Sequence, residues 1–501
     1  MVLGTEAAQG AMTGARYLQS LRDDREVWLD GQRVGDVTTH PAFKDFAHEL
    51  ARIYDLQHNP AFRDQMTFVS PDSGNRVSLS WLIPQSIEDL KRKRRNSEIW
   101  SEQSWGQLGR SPDILAPFIT ALAQRHEHLS SVKATPHCDF GVNAVNYYKY
   151  CMENDLFLTH ALGDPQVDRS LQPQNEQRAV PEDQEIALHV VEETPEGVIV
   201  SGGKQLATAA VFSNETYVSL SQTFLRRNDP RFVLAFSIAT NTPGLRILCR
   251  EPVSRWFGSW GHPFLGLDEQ DCMLFFDRVL VPWDRLFQLY QTTQVAASAA
   301  QSGLNFMGWA NMCRLQVRFR LILAVATLIA QAIGVIEFRE VEAKLGEMAT
   351  YCTMWDHAMN GLEATAYQTE DGSWTLGSNR GMGIWAAQTS ERMIELLKQI
   401  SGSGILMQPS ENDLANPQLR PFLNQFMHGK DVDVAYKSRL FRFAHELGAS
   451  SFGMRQEIYE YWHGGDPNRN RINLLRSLDQ SEIMDRIKDV CSQPLRHGEV
   501  S

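Results

Sequence analysis

Arg110, in Gly109-Arg110-Ser111-Pro112-Asp113, and His160, in Phe157-Leu158-Thr159-His160-Ala161-Leu162, are side chains of types that can manage an anionic oxygen. An arginine stays cationic and can hold an oxyanion or clamp a carboxylate, and a histidine is poised near neutral pH as base or hydrogen-bond partner. Taken singly, each has a plainer reading. Arg110 stands near the start of a helix expected from Pro112, where Asp113 could pair with it, and a histidine between apolar residues is more often a satisfied core residue. Other familiar patterns fail on spacing. Ser201-Gly202-Gly203-Lys204 lacks the first glycine and the final Ser/Thr of a phosphate loop, and no GxGxxG follows a strand. His445-Glu446 does not continue as HExxH, and His126-Glu127-His128 is too tight for two ligands on one helix face, so no metal site is expected. Ser401-Gly402-Ser403-Gly404 misses the nucleophile elbow because a serine stands where its first glycine should be.

These residues must be held by a chain of 501 residues, about three domains at the usual size. Apolar residues at 43% and charged residues at 22% are ordinary for a folded protein, and a net charge of -12 disfavours nucleic acid and anionic membranes. The basic run Lys91–Arg95 sits within a helical pattern and reads as a solvated face. Seven scattered cysteines without CxxC spacing fit free thiols, and the opening residues lack a signal-peptide pattern, so a cytoplasmic location is expected. The uncharged stretch Leu321–Ile336 is short for a bilayer and reads as a buried bundle helix.

Helical spacing runs through Phe43–Tyr54, Ile87–Trp105 and Ile114–Leu122. From Leu188 the pattern turns β-rich: a hairpin (188–191, 198–200), then runs at 232–239, 245–249 and 272–281, predicting an antiparallel sheet or barrel. Helices return at 310–337, 340–367, 381–400 and 432–463, which suggests a bundle. The predicted organisation is α+β, mostly α: an N-terminal helical domain (1–150), a central β domain (151–285) and a C-terminal helical domain (286–501).

Longer stretches carry a resemblance. The segments 12–43, LGRSPDIL (108–115), ENDLFLTHALGDPQVDR (153–169), VSGGKQLAT (200–208), LDEQDCMLFFDRVLVPWDRLF (267–287) and SSFGMRQEIYE (450–460) resemble, in order, the oxygenase components of two-component flavin monooxygenases of the 4-hydroxyphenylacetate 3-monooxygenase family. The resemblance implies an acyl-CoA-dehydrogenase-like fold with a central β-barrel and a C-terminal four-helix bundle, assembled as a homotetramer. It also implies FADH2, or FMNH2 in some branches, delivered by a separate NAD(P)H-dependent reductase. O2 would then form a flavin C4a-hydroperoxide that hydroxylates an electron-rich aromatic ring, ortho to its hydroxyl.

The resemblance assigns Arg110 and His160 to the substrate and to catalysis, and Arg169 and Thr208 to the neighbourhood of the flavin ring. The loop of Ser401, Gly402, Ser403 and Gly404 could bring backbone amides to the flavin phosphates. Ile114 departs from the hydroxyphenylacetate branch, which has a substrate-contacting tyrosine there, and Asn311-Met312-Cys313 replaces a bundle histidine of the chlorophenol branch. The stretch 65–84 is similar to members of secondary metabolism, including pyoverdine-chromophore-type enzymes, so a small aromatic substrate, free or carrier-tethered, is expected. The alternatives are an acyl-CoA-dehydrogenase-type flavoenzyme with Glu363 or Glu347 as base, an N-hydroxylating or dehalogenating monooxygenase, and a non-catalytic interaction protein on the same fold.

Overall fold

The computed structural model describes residues 9–167, 185–219, 229–253, 263–291, 295–369 and 372–493. The first layer is helical. Helix α1 (Lys44–Asp55) buries Phe46, Ala47, Leu50, Ile53 and Tyr54 along one face. Helix α2 (Ile87–Glu102) starts where Ser86 accepts from the Asp89 amide (3.1 Å), with two acids in its first turn opposing the helix dipole. The basic run lies on this helix, and it is not uniformly solvated. Lys93 points inward, 4% exposed, and donates to the carbonyls of Ser80 (2.8 Å) and Leu82 (3.0 Å). Its neighbours pair with Glu88, Asp89 and Glu98 along the helix, because i,i+3 and i,i+4 partners are in reach there, and Arg95 also reaches Glu102 two turns on.

Helix α3 spans Ala116–Gln124; it begins later than Pro112, because Ser111–Leu115 form a turn in which the Ile114 amide donates to the Ser111 carbonyl (3.1 Å). Helix α4 (Phe140–Asn154) is capped by Asp139, which accepts from Gly141 and Val142, and it stops at Asp155 in the left-handed region (φ 48°). The buried Asp155 carboxylate then accepts from Met12, Gln57 and Trp81, tying three segments to that turn.

The central strands form two sheets. Numbered along the chain they are β1 (Glu26–Leu29), β2 (Gln32–Val34), β3 (Leu158–Ala161), β4 (His189–Glu193), β5 (Gly197–Thr208), β6 (Glu215–Val218), β7 (Leu234–Ala239), β8 (Leu245–Cys249), β9 (Asp271–Pro282) and β10 (Leu286–Leu289). One sheet has the order β2-β1-β8-β9-β5-β4 and the other β10-β7-β6-β3. The predicted hairpin is β4–β5, and the runs at 232–239, 245–249 and 272–281 are β7, β8 and β9.

The expected barrel is not closed. Among the described residues β2, β4, β10 and β3 are edges, each paired on one side, so the domain is two packed sheets. Nor is pairing wholly antiparallel, since β1 joins β8 and β3 joins β6 in parallel. Register shifts between β9 and β5, at Cys272/Leu274 and Phe276/Val279, accompany Arg278 in the left-handed region and increase the local twist.

The C-terminal layer packs long helices: α5 (Val295–Ala332), α6 (Arg339–Ala364), α7 (Arg380–Ser401), α8 (Val434–Gly448) and α9 (Ser451–Trp462), followed by α10 (Pro467–Ser477) and α11 (Ser481–Cys491). Residues Asn305–Ala332 are long and apolar enough to cross a bilayer, yet most of their apolar window is buried inside the protein. The same helix carries the fully buried Arg314 and Arg318, as a bundle core helix with internal partners can.

The helix expected over 432–463 is two. Ala449 ends α8, and Ser450 caps α9 by accepting from the Gly453 amide (3.0 Å). A Cβ on Gly453 would stand 2.6 Å from the Glu446 carbonyl oxygen, so the sharp crossing needs glycine there. This break turns α9 toward the site described next.

Candidate active site

Arg110 lies between the helical layer, the sheets and α9, and it is 8% exposed. Its backbone amide donates to Glu269 Oε1 (2.7 Å). Its Nη1 donates to the Gly109 carbonyl (3.0 Å) and to the Tyr459 hydroxyl, which in turn donates to the Gly109 carbonyl (3.0 Å). A Cβ on Gly109 would meet the Tyr459 ring at 2.2 Å, so glycine is the residue that admits this contact. Arg110 does not pair with Asp113, whose Oδ1 accepts from Ser111 Oγ (2.6 Å). Arg110 Nε is buried and has no partner.

His160 stands on β3, the edge of the four-stranded sheet, opposite Tyr217. Its ring is half-buried, and Nδ1 is enclosed without a partner. Burial, and then the positive charge of Arg110, push its pKa down to about 3, so the imidazole is neutral at physiological pH. Thr208 ends β5 and adjoins this strand, because Thr159 Oγ1 donates to the Thr208 carbonyl (2.5 Å). Its own hydroxyl donates to Asp271 Oδ1 (2.8 Å). Arg110, His160 and Thr208 are therefore brought together from a turn and two strands.

The other sequence candidates fall elsewhere. Ile114 is fully buried, one turn beyond Arg110 and beside Asp113, whose carboxyl is pushed up to about 6 by burial. Asp113 and Lys93, the latter pushed down to about 7 by burial, line a cavity of about 10 Å³ with Asn96 and Trp309, room for about one water. Ser401–Gly404 lie at the end of α7, where Gly404 packs against Phe441 of α8, and no described contact joins them to Arg110, His160 or Thr208. Arg169 lies outside the described residues. Glu363 and Glu347, the candidate bases of a dehydrogenase, are engaged with Arg94 (3.2 Å) and Arg392 (2.7 Å).

Several residues that support the site have no mark of their own in the sequence, although they fall in the family-like stretches 267–287 and 450–460. Arg455 Nη1 pairs with Glu269 Oε2 (2.9 Å), and its Nε and Nη2 grip Asp271 (2.8 and 2.7 Å). Burial works against the Asp271 carboxylate, but Arg455 and Arg250 hold its pKa well below the usual range. Tyr459 carries the Arg455 guanidinium over its ring at 4.8 Å and stacks on His463 at 5.0 Å. His463 Nε2 faces Asn311 Nδ2 (2.7 Å), so Asn311, standing in the segment that replaces the chlorophenol-branch histidine, holds an imidazole supplied by the end of α9. Glu460 makes a buried bidentate pair with Arg314 (2.7 and 2.6 Å).

Two family models cover this architecture: 4-hydroxyphenylacetate 3-hydroxylase N terminal matches residues 13–288, and 4-hydroxyphenylacetate 3-hydroxylase C terminal matches residues 296–492. The chain belongs to the 4-hydroxyphenylacetate 3-hydroxylase family. Within it, the chain is 33% identical over 497 residues to the 4-hydroxyphenylacetate 3-monooxygenase oxygenase component of Thermus thermophilus, covering 97% of this chain and 98% of that one. It is 32% identical to the 4-nitrophenol 2-monooxygenase oxygenase component of a Rhodococcus species (93% and 88% covered). It is 30% identical to a Streptomyces globisporus monooxygenase named for a 3-chloro-4-hydroxyphenyl β-amino acyl group on a peptidyl-carrier protein (95% and 89%).

Among solved structures, the oxygenase component of a 4-hydroxyphenylacetate 3-monooxygenase complexed with FAD and 4-hydroxyphenylacetate superposes with a TM-score of 0.88, at 33% identity over 96% of this chain and 98% of that one. An archaeal 4-hydroxybutyryl-CoA dehydratase shares the fold at 19% identity and a TM-score of 0.83. The fold is therefore that of the solved oxygenase component, helical layers around a central pair of sheets, as the family-like stretches imply. A fold shared with a CoA-ester enzyme leaves the site to distinguish the chemistry.

Proposed function

We propose that this chain is the oxygenase component of a two-component monooxygenase that takes FADH2 from a separate NAD(P)H-dependent reductase and hydroxylates a phenolic ring ortho to its hydroxyl. The observation that carries this is the meeting of a cationic and a neutral side chain, Arg110 and His160, each with a buried nitrogen lacking a partner. A phenol bound between them would find an acceptor for its proton at the neutral imidazole and a guanidinium for the resulting anion.

The donor set also suits reduced flavin. Thr208 gives its hydroxyl proton to Asp271, which leaves its oxygen lone pairs to accept from a flavin N–H. Bound reduced flavin supplies, with O2, the electrophilic oxygen; the protein supplies orientation and dryness. Thr208 would hold the ring edge, Arg169 would lie near it, and Ser401, Gly402, Ser403 and Gly404 would serve the phosphates. The buried Ile114, one turn from Arg110, would present an apolar wall to the aromatic ring, without the hydroxyl that a tyrosine would offer there.

Three finer readings accompany this one. A carrier-tethered substrate is supported by the likeness to the Streptomyces monooxygenase. Assembly as a homotetramer is supported by α11, whose Ile483, Met484, Ile487 and Val490 stand exposed at helical spacing. A cytoplasmic location is proposed from the uncrosslinked cysteines.

The deciding experiment is anaerobic titration with FADH2, followed by rapid mixing with isotopically labelled O2 and 4-hydroxyphenylacetate or 4-nitrophenol. Labelled oxygen in a catechol product supports the proposal. A tightly held oxidised flavin that is bleached by an acyl-CoA, with no labelled product, would overturn it in favour of the dehydrogenase.

A further inference from the structure

We propose that Arg455 is a positioning residue: one guanidinium that sets the Arg110 turn and the Thr208 strand end together, through Glu269 and Asp271. This rests on the reading above and adds how the two halves of that site keep their spacing.

The connection is continuous. On one side Arg455 Nη1 meets Glu269 Oε2 (2.9 Å), and Glu269 Oε1 accepts the Arg110 backbone amide (2.7 Å). On the other, Arg455 Nε and Nη2 clasp both oxygens of Asp271, and Asp271 Oδ1 accepts the Thr208 hydroxyl proton (2.8 Å). Glu269 has no exposed side-chain surface and Arg455 is 11% exposed, so water competes poorly for these bonds. A guanidinium is planar and rigid, and two carboxylates bound to one fork are held at a set separation. Lysine keeps the charge but lacks that fork.

The helix reinforces the same arrangement. Arg455 and Tyr459 are four residues apart on α9 and so share a face, which places the Tyr459 ring beneath the guanidinium while its hydroxyl binds the Arg110 side chain. Arg110 is thus gripped at its backbone through Glu269 and at its tip through Tyr459. Arg250 shares Asp271 (3.0 Å) and secures Asp268 as well, so the Asp271 carboxylate keeps a cationic partner and stays ionised even when Arg455 is altered. Removing Arg455 therefore disturbs position more than charge.

The test compares Arg455→Lys with Glu269→Gln and Asp271→Asn. Affinities are measured anaerobically for FADH2 and, with FADH2 bound, for 4-hydroxyphenylacetate, alongside the ratio of hydroxylated product to hydrogen peroxide. Arg455→Lys is expected to weaken both ligands by roughly tenfold, about 1.4 kcal/mol each, and to shift the ratio toward peroxide. Glu269→Gln is expected to weaken mainly the phenol, and Asp271→Asn mainly FADH2. A folded Arg455→Lys protein that binds both ligands within twofold of the unaltered chain overturns the proposal. If that variant does not fold, the two carboxylate variants decide, and equal losses of both ligands in each would refute separate arms. An unaltered chain that binds neither ligand fails the functional reading instead. The crystal positions of Arg110 and Thr208 in Arg455→Lys then settle the positioning claim, displaced in its favour or unmoved against it.

Discussion

Arg110 and His160 meet as a cation and a neutral base: the guanidinium carries its charge, and the imidazole is kept neutral by burial and by that neighbour. Replacing His160 with Gln should lower kcat by about a hundredfold, the usual scale for a lost proton acceptor, and leave FADH2 affinity unchanged in anaerobic titration. Replacing Arg110 with Lys should raise KM for a phenol as well, since the neighbouring contacts are built for a guanidinium. The same neutrality shapes stability. His160 and His463 have folded pKa values near 3 and 4 against 6.5 for the free side chain. Between those limits the unfolded chain binds more protons, so their contribution to stability is complete above pH 6.5 and is lost as pH falls toward 3. Urea midpoints at pH 7 and pH 4.5 should diverge in the unaltered protein and diverge less in His160→Gln. At this scale the sequence was only partly legible. Arg110 and His160 stood out through family-like surroundings, whereas Glu269, Arg455 and Tyr459 are ordinary residue types whose meaning comes from contacts across 159 to 349 positions.

The elements that carry these residues were more readable, because periodicity is a local property. The hairpin, the strands at 245–249 and 272–281, and the long helices follow from alternation and helical spacing. Two features escaped. Strand β1 is too short to announce itself, and its pairing with β8 is set by distant packing. The break at Ala449-Ser450 was hidden because apolar spacing continues through it, although a serine followed three residues later by glycine marks it in retrospect. Gly453→Ala tests its importance. The added methyl would meet carbonyl oxygens of α8, and overpacking of this kind costs about 1–3 kcal/mol. The expected outcome is a lower urea midpoint together with weaker phenol binding, because α9 carries Arg455 and Tyr459. Ser450→Ala should cost about 1 kcal/mol, the usual value of a lost cap, with a smaller effect on binding.

At the scale of the molecule, apolar surface is left over at the C-terminal end. Ile483, Met484, Ile487 and Val490 stand exposed at helical spacing along α11, an apolar stripe of the kind that marks a contact surface. Ile487→Asp combined with Val490→Asp should lower the mass measured by light scattering while leaving the circular dichroism spectrum intact; an unchanged mass would place the assembly surface elsewhere.

The first strand has a consequence for how the protein is made. Glu26 on β1 bonds Arg246 on β8, 220 residues further along. At ordinary rates of translation that separation corresponds to tens of seconds. Throughout that interval the β1–β2 hairpin is on its own, and a lone hairpin is marginal in water. Charged side chains on it, Glu26, Asp30 and Arg33, oppose pairing with other nascent chains. The opening segment of the polypeptide is thus kept in waiting, soluble and uncommitted, until the ribosome has delivered the strand it was meant to join.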